Sequence, residues 1–207
     1  MQNPKIKAVL FDLGGVLVGF KQEAFVKETL SYVPSPGKLD WKQPKVIGAH
    51  RQFELGKLSK KQFYGRILPF MREKISFKEF SRIWGAGIFI WRPDVAEFIK
   101  KLRANGYNIG ILSNCDAYSF PLIMSHYRLQ RFVNAAAPSF KVHSRKPDKK
   151  IFLAALKGLR EKPENCVYID DIQKYVRKAR SLGMKAVQFK NLPNLKKELA
   201  KFGVKAK

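Results

Sequence analysis

Short apolar runs alternate along the chain with patterns typical of amphipathic helices. The segment from Pro93 to Gly106 shows the helical pattern clearly, since apolar residues recur every three or four positions between a proline and a glycine. Because strands that alternate with helices form parallel sheets, the pattern predicts an α/β fold with a Rossmann-like parallel sheet and helices on both faces. The apolar runs predicted as strands are residues 6–11, 108–112, 167–169 and 186–189.

The segment 20–89 breaks this alternation. It contains helical patterns and a Pro-Ser-Pro-Gly break at 34–37, but no convincing strand. We therefore predict a small helical cap, residues 20–89, inserted after the first strand of an α/β core formed by residues 1–19 and 90–207. The predicted cap helices are residues 22–32, 44–55, 60–71 and 77–84.

Length and composition narrow the class of protein. The 207 residues suit one domain with a modest insertion, and a hydrophobic content of 45% excludes disordered and fibrous classes. The apolar runs are far shorter than the roughly 20 residues that cross a bilayer, and the N-terminus lacks a signal-peptide pattern. The two cysteines, Cys115 and Cys166, are expected at opposite ends of one sheet. We expect a cytoplasmic protein without membrane contact or disulfide bonds.

The charge of the chain is strongly positive. Lys and Arg total 41 against 16 Asp and Glu, which gives a formal net charge of +25. The basic residues are spread along the chain and do not alternate with aromatic residues as in a nucleic-acid stacking platform. We therefore expect a solvated basic surface that binds nucleic acid weakly and non-specifically. The same positive field favours small phosphorylated substrates.

Three carboxylates follow predicted strands. Asp12 comes after the first strand, and Asp170 and Asp171 come after the run 167–169. Ligands bind beyond the carboxyl ends of the strands in open parallel sheets, so we expect these side chains to lie close together. Converging carboxylates repel one another unless a cation lies among them, and oxygen ligands without His or Cys favour a hard ion. The sequence therefore predicts a Mg²⁺ site.

Residues that suit a phosphate group occur at the same edge of the predicted sheet. Ser113 and Asn114 follow a second strand, and Lys146 lies in a loop just before a predicted helix. Together with Mg²⁺, the Lys146 ammonium, the Ser113 hydroxyl and backbone N–H groups at a helix start would hold a phosphate dianion. In such surroundings Asp12 can attack the phosphorus atom and form an aspartyl-phosphate, which water then hydrolyses.

Four segments of the chain resemble, in order, the signature motifs of the haloacid dehalogenase-like (HAD) hydrolases. A further helical segment, residues 53–63, is similar to part of that family's helical cap. The resemblance covers nearly the whole chain, and four motifs at suitable spacing are far more specific than any one alone. The four segments are residues 9–17 (VLFDLGGVL), 111–114 (ILSN), 145–148 (RKPD) and 167–171 (VYIDD).

The resemblance implies a Mg²⁺-dependent phosphatase that hydrolyses a small phosphorylated metabolite, with a sugar phosphate as one candidate. The catalytic residues would be Asp12 as nucleophile and Lys146, which screens the charges on Asp12 and the phosphate. The cap would close over the substrate and exclude water. The implied substrate-binding residues are Ser113, Asn114 and Lys146. The implied metal ligands are the carboxylates of Asp12 and Asp170, the main-chain carbonyl of Gly14 and, through water, Asp171.

The chain departs from the family pattern at Gly14, where many phosphatases of the family carry a second aspartate that serves as acid and base. General acid/base catalysis contributes about 10²–10⁴-fold, so the enzyme needs another acid or a leaving group such as a sugar 1-phosphate or an acyl phosphate. His143 is a candidate for that acid. A glycine at this position also occurs in a branch that resembles sugar-phosphate phosphatases. Tyr175 stands where such members often have Asn.

Two alternatives stay open at this point. One is a metal-independent haloacid dehalogenase, in which Asp12 would displace halide from carbon and the pair Asp170 and Asp171 would be superfluous. The other is a catalytically weak basic protein that binds RNA or another polyanion, in which Gly14 would reflect the loss of catalytic activity. The sequence alone does not define the oligomeric state.

Overall fold

A five-stranded parallel sheet lies at the centre of the protein. The computed structural model describes residues 5–20, 43–71, 74–86 and 89–205. Within these residues the sheet and its flanking helices confirm the predicted α/β fold. The strands of this sheet are β1 (Ala8–Phe11), β4 (Asn108–Ser113), β5 (Ala135–Pro138), β6 (Cys166–Asp170) and β7 (Lys185–Gln188). Their order across the sheet is β5-β4-β1-β6-β7.

Nine α-helices occur in the described residues, and those of the core cover both faces of the sheet. On one face Val9 packs with apolar residues of helices 93–104 and 192–200, and on the other Leu10 packs with residues of helices 149–159 and 173–181. The helices are α1 (Pro44–Glu54), α2 (Lys60–Ile67), α3 (Phe77–Ala86), α4 (Pro93–Ala104), α5 (Ser119–His126), α6 (Ser139–Val142), α7 (Lys149–Leu159), α8 (Gln173–Ser181) and α9 (Leu192–Ala200).

Strand β1 lies between β4 and β6 and is completely buried. Leu10 of β1 is opposite Gly110 of β4 and Tyr168 of β6. Because the three strands run parallel in this register, their carboxyl ends reach the same edge of the sheet. That edge therefore carries the residues that follow β1 and those that end β4 and β6.

The structure contains three strands that the sequence pattern did not predict. Strand β5 consists of three alanines and a proline, residues with little preference for strands, and it lies at the edge of the sheet. Strands β2 (Val18–Phe20) and β3 (Phe89–Trp91) form a separate antiparallel pair. The expectation of no strand in 20–89 was thus wrong at both ends of that segment, because strands of three residues are too short to show alternation.

The predicted helical character of the cap is seen in α1, α2 and α3, which pack around an aromatic cluster. The rings of Phe53 and Phe63 stack at 4.3 Å with an interplanar angle of 4°. Helix α2 begins with a capping box, in which Ser59 and Gln62 satisfy each other's backbone N–H groups. The predicted helix 22–32 lies outside the described residues, and the domain boundaries stay a prediction.

A residue of the core, Tyr118, lies within the aromatic cluster of the cap. Its ring centroid is 5.7 Å from that of Phe53, and its hydroxyl is 2.9 Å from the Ser81 hydroxyl. Tyr118 directly precedes α5, in the segment that follows β4. The cap therefore packs against the segment that leaves the carboxyl end of β4.

The other end of α5 contacts both chain segments that connect the core with the cap. Tyr127 follows α5, and its hydroxyl donates a hydrogen bond to the Leu17 carbonyl just before β2, at 3.2 Å. The same oxygen accepts a hydrogen bond from the backbone N–H of Arg92, just after β3. Trp91, the last residue of β3, packs edge-on against the Tyr127 ring.

No helix in the described ranges is both long enough and apolar enough to pass through a membrane. Cys115 and Cys166 are free and buried. Cys115 follows the carboxyl end of β4 and Cys166 begins β6, so the two lie at opposite ends of the sheet, as the sequence predicted. Burial raises the pKa of the Cys115 thiol well above its ordinary value, which leaves it unreactive at neutral pH.

Candidate active site

The carboxylates of Asp12, Asp170 and Asp171 converge at the carboxyl edge of the sheet. One oxygen from each lies within 4.8 Å of the others, and this is the only such group of three or more potential metal ligands among the described side chains. Asp170 is fully buried, Asp12 is nearly so and Asp171 is partly exposed. Three oxygen donors so close together, without His or Cys, fit a hard divalent cation such as Mg²⁺.

Burial makes ionisation of these carboxylates costly. It raises the pKa of Asp12 from 3.8 to about 6, the Asp170 charge acts in the same direction, and Lys146 and Ser113 act against it. Burial, followed by the charge of Asp170, also raises the pKa of Asp171. These two side chains therefore hold protons more tightly than free carboxylates do, and a divalent cation bound among them would offset that cost.

The ammonium group of Lys146 lies between two of the carboxylates. Its Nζ is 2.7 Å from Oδ2 of Asp12 and 2.7 Å from Oδ2 of Asp170, and the side chain is 1% exposed. Burial alone would lower the pKa of Lys146, but the charges of Asp12 and Asp170 outweigh burial and raise it. Lys146 is thus a permanent cation next to the nucleophile that the sequence predicted.

Asn114 connects the loop after β4 with the loop that carries Lys146. The backbone N–H of Lys146 donates to Oδ1 of Asn114 at 2.8 Å, and Nδ2 of Asn114 donates to the Lys146 carbonyl at 3.4 Å. The peptide bond between Lys146 and Pro147 is cis. The observed bonds of Asn114 hold the Lys146 backbone in place, and its predicted contact with substrate stays a prediction.

Two tyrosines surround the ammonium of Lys146. The hydroxyl of Tyr168 is 3.0 Å from Nζ and also hydrogen-bonds to Asp170, while the Tyr175 ring lies 4.9 Å from Nζ. The sequence pattern singles out Tyr175 but not Tyr168, because a tyrosine within an apolar strand is ordinarily a core residue. The one available signal for Tyr168 was position, since residues two apart on a strand point to the same face and Tyr168 therefore lies on the same face as Asp170.

The loop after Asp12 contains a glycine pair. Gly15 has φ +74°, and a Cβ atom there would lie 2.1 Å from a carboxylate oxygen of Asp171, so only glycine fits. The Gly15 carbonyl accepts a hydrogen bond from Nη1 of Arg92 at 2.9 Å. Gly14 lies in the same loop, and the role of its carbonyl as a metal ligand stays a prediction.

The interface between cap and core contains polar contacts next to the candidate site. Glu54, in the last turn of α1, is 2.9 Å from Nη2 of Arg145, the residue before Lys146. His50 of α1 has ring nitrogens 3.9 Å from carboxylate oxygens of Glu54 and Asp116. Polar side chains of the cap therefore lie against both loops that carry the predicted phosphate-binding residues.

His143, the sequence-based candidate for the missing acid, is exposed and has φ +53°. Its Nδ1 is 2.9 Å from the Leu55 carbonyl of the cap. Gly56, the residue after Leu55, has φ +66°, and a Cβ atom added there would lie 2.1 Å from the carbonyl oxygen of Phe140. The observed partner of His143 is thus the backbone of the cap.

The fold and the site define the class of protein, an α/β enzyme that carries a helical cap near the carboxyl edge of a Rossmann-like sheet. Residues 6–183 match the family model of haloacid dehalogenase-like hydrolases. The chain belongs to that family and is a hydrolase. These findings confirm the family, the fold class and the enzyme class that the sequence motifs predicted.

Relatives cover nearly the whole chain at low identity. D-ribitol-5-phosphate phosphatase of Bacteroides thetaiotaomicron is 25% identical over an alignment of 210 positions, gaps included, which covers 94% of this chain and 97% of that protein. The chloroplastic flavin mononucleotide hydrolase 1 of Arabidopsis thaliana is 23% identical over 202 residues, 97% of this chain and 79% of that protein. Both relatives carry the names of enzymes that act on phosphorylated compounds.

Solved structures share the fold. A HAD family enzyme from Bacteroides thetaiotaomicron, in complex with magnesium and inorganic phosphate, superposes with a TM-score of 0.79 at 21% identity, covering 92% of this chain and 98% of that one. The L-2-haloacid dehalogenase of Xanthobacter autotrophicus superposes with a TM-score of 0.63 at 16% identity, covering 95% and 83%. At these identities the likeness establishes the fold alone.

Proposed function

We propose that the protein is a Mg²⁺-dependent phosphatase that hydrolyses a small phosphorylated metabolite through an aspartyl-phosphate on Asp12. The observation that carries the proposal is the convergence of three carboxylate oxygens within 4.8 Å, with the buried ammonium of Lys146 in contact with two of these carboxylates. The names of two relatives, a phosphatase of D-ribitol-5-phosphate and a hydrolase of flavin mononucleotide, support the same reaction class.

In the first step, an oxygen of Asp12 attacks phosphorus, the bond from phosphorus to the leaving oxygen breaks, and the released oxyanion takes a proton from water. The backbone N–H of Leu13 donates to Oδ1 of Asp12 at 2.7 Å, while Lys146 contacts Oδ2, so the carboxylate has a fixed rotation. The hydroxyl of Ser113 binds a phosphoryl oxygen, and the nearby positive charge of Lys146 screens the charges of Asp12 and of the phosphoryl group. A fixed nucleophile beside a fixed cation lowers the barrier, because neither must reorganise during attack.

A metal ion would be held by the carboxylates of Asp12 and Asp170, the Gly14 carbonyl and, through water, Asp171. Mg²⁺, when bound there, neutralises negative charge shared by the carboxylates and the phosphoryl group. Asp171 distinguishes this proposal from dehalogenation, since a third carboxylate at this edge has no purpose when halide is displaced from carbon. The dehalogenase alternative is therefore disfavoured.

In the second step, water attacks the phosphorus of the aspartyl-phosphate and releases Asp12 and inorganic phosphate. Gly14 supplies no side chain to move the protons of either step, so the proposal includes a leaving group that needs little protonation. A sugar 1-phosphate or an acyl phosphate meets this condition. One relative is named for D-ribitol-5-phosphate, which supports a small polyol or sugar phosphate as the substrate class but is an ester of a primary alcohol and does not meet this leaving-group condition.

A screen of phosphorylated metabolites and p-nitrophenyl phosphate, with Mg²⁺ or with EDTA, tests the proposal. We expect phosphate release with Mg²⁺ only, and none from Asp12→Asn. Asp94→Asn is the matched control, since Asp94 is exposed in the first turn of α4. No turnover of any compound by the wild type would refute the proposal, and steep salt-dependent RNA binding would then favour the polyanion alternative. Halide release that persists in EDTA would favour the dehalogenase.

A further inference from the structure

We infer that the hydroxyl of Tyr168 is a positioning group, which fixes the ammonium of Lys146 against the carboxylates of Asp12 and Asp170. This inference rests on the proposed function for its catalytic meaning, whereas the hydrogen bonds themselves are a property of the folded chain. The residue is not among those that the family motifs assign to the reaction.

Donor and acceptor chemistry defines the direction of each hydrogen bond. An ammonium group has three donors and no acceptor, so the Tyr168 oxygen accepts from Nζ of Lys146, at 3.0 Å. The phenolic proton is then free to be donated to Oδ2 of Asp170, with which the hydroxyl is also in hydrogen-bond contact. Nζ in turn contacts the same Oδ2 at 2.7 Å. The three groups thus form a closed triangle.

The triangle and the contact with Asp12 together commit all three donors of the Lys146 ammonium. One faces Oδ2 of Asp12, one faces Oδ2 of Asp170, and the third faces Tyr168. Oδ2 of Asp170 accepts from two groups, while its Oδ1 accepts from the backbone N–H of Ile172 at 2.8 Å. With Oδ2 occupied, Oδ1 has the greater unused acceptor capacity on the carboxylate.

Tyr168 is well suited to fix a flexible neighbour. It lies on the interior strand β6, is 0% exposed, and packs edge-on against Phe152 of α7 with ring centroids 5.5 Å apart. Lys146, in contrast, lies in a loop and has four rotatable bonds in its side chain. A rigid phenol therefore defines where the long lysine side chain ends.

Tyr175 provides a matched comparison, because it touches the same ammonium through its ring. Nζ of Lys146 is 4.9 Å from the ring centroid, and the Tyr175 hydroxyl is 3.5 Å from Nδ2 of Asn114, a weak contact. Both substitutions keep the ring and remove the hydroxyl. Tyr175→Phe thereby removes only the weak contact with Asn114, whereas Tyr168→Phe removes a hydrogen bond to a charged group. Such bonds are worth about a ten- to hundredfold change in an equilibrium or rate constant.

The test compares wild type, Tyr168→Phe and Tyr175→Phe, each checked for folding by circular dichroism. For turnover of the best substrate, we expect Tyr168→Phe to lower kcat by about 10- to 100-fold and Tyr175→Phe by less than about 3-fold. Vanadate adopts the geometry of the transition state, so its inhibition constant should rise in Tyr168→Phe by about the factor by which kcat falls. The inhibition constant of inorganic phosphate should change little. Equal losses for the two anions, or wild-type kcat, would overturn the inference.

A second measurement does not depend on activity. We expect Tyr168→Phe to lower the urea midpoint of the metal-free protein. When the same substitution is made in a protein that already carries Lys146→Met, the decrease should be at most half as large. Equal effects in both backgrounds would show that the hydroxyl does not act on Lys146 and would overturn the inference. If the wild type turned over no phosphorylated compound, the proposed function would fail, while this double-mutant cycle would still decide whether the triangle exists.

Discussion

Arg145 and Glu54 form an ion pair at 2.9 Å that joins the core to the cap. Glu54 is buried in the last turn of α1, and Arg145 directly precedes Lys146. The Glu54 carbonyl accepts a further hydrogen bond, from the Ser139 hydroxyl at 2.7 Å. The last turn of a cap helix is thus bonded to the loop that carries the catalytic lysine of the proposed mechanism.

Replacement of Glu54 by glutamine is expected to lower the free energy of unfolding by about 1–3 kcal/mol, because the partly buried Arg145 loses its carboxylate partner. Urea denaturation of the metal-free protein measures this loss. Glu79→Gln is the control, since Glu79 pairs with Arg82 on the surface of α3 and should give a smaller loss. Equal losses would show that the cap–core pair does not stabilise the fold.

The activity is expected to rise with pH through an acidic limb governed by Asp12. The pKa of Asp12 in the metal-free protein is about 6, and a protonated Asp12 can neither attack phosphorus nor bind a cation. Protons and Mg²⁺ compete for the same carboxylate, so the limb should move to lower pH as Mg²⁺ increases. Profiles of kcat/KM at two Mg²⁺ concentrations test this, and a limb that stays in place would contradict it.

Asp12→Asn is expected to stabilise the metal-free protein at high pH. The folded pKa of about 6 lies above the unfolded value, so the fold binds the extra proton at low pH and loses that stabilisation as pH rises through 6. Asparagine does not ionise, so the stability of the variant does not fall with pH on account of this residue. We expect its free energy of unfolding to exceed that of the wild type by about 1–3 kcal/mol at pH 8. Urea midpoints in EDTA at pH 4 and pH 8 should show a gap that widens with pH.

Gly15→Ala is expected to weaken Mg²⁺ binding. The added Cβ would lie 2.1 Å from the Asp171 carboxylate, which would have to move. Gly106→Ala is a matched control, because Gly106 also has a positive φ, +87°, yet a Cβ atom added there would meet nothing within 4 Å. Both should lose about 1–3 kcal/mol of stability from backbone strain. Calorimetry should show weaker Mg²⁺ binding for Gly15→Ala alone, and equal binding by both variants would contradict the prediction.

The sequence predicted features that follow from local pattern or from strand polarity. The parallel sheet followed from apolar runs between helices, and the convergence of Asp12, Asp170 and Asp171 followed from their places after strands. Strand β5 was missed because its alanines carry no strand signal. The triangle around Tyr168 and the pair of Glu54 with Arg145 depend on how separate elements pack in three dimensions, which a linear pattern does not contain.

Helix α5 contacts the cap at one end and the two connecting segments at the other, through Tyr118 and Tyr127. A swing of the cap about β2 and β3 would therefore have to withdraw Tyr118 from between the cap helices or carry α5 along. Since Tyr118 follows Ser113 within the same short stretch of chain, either movement would strain the loop of the predicted phosphate ligand Ser113. If the cap swings to admit substrate, that loop would then have to change shape in the same movement.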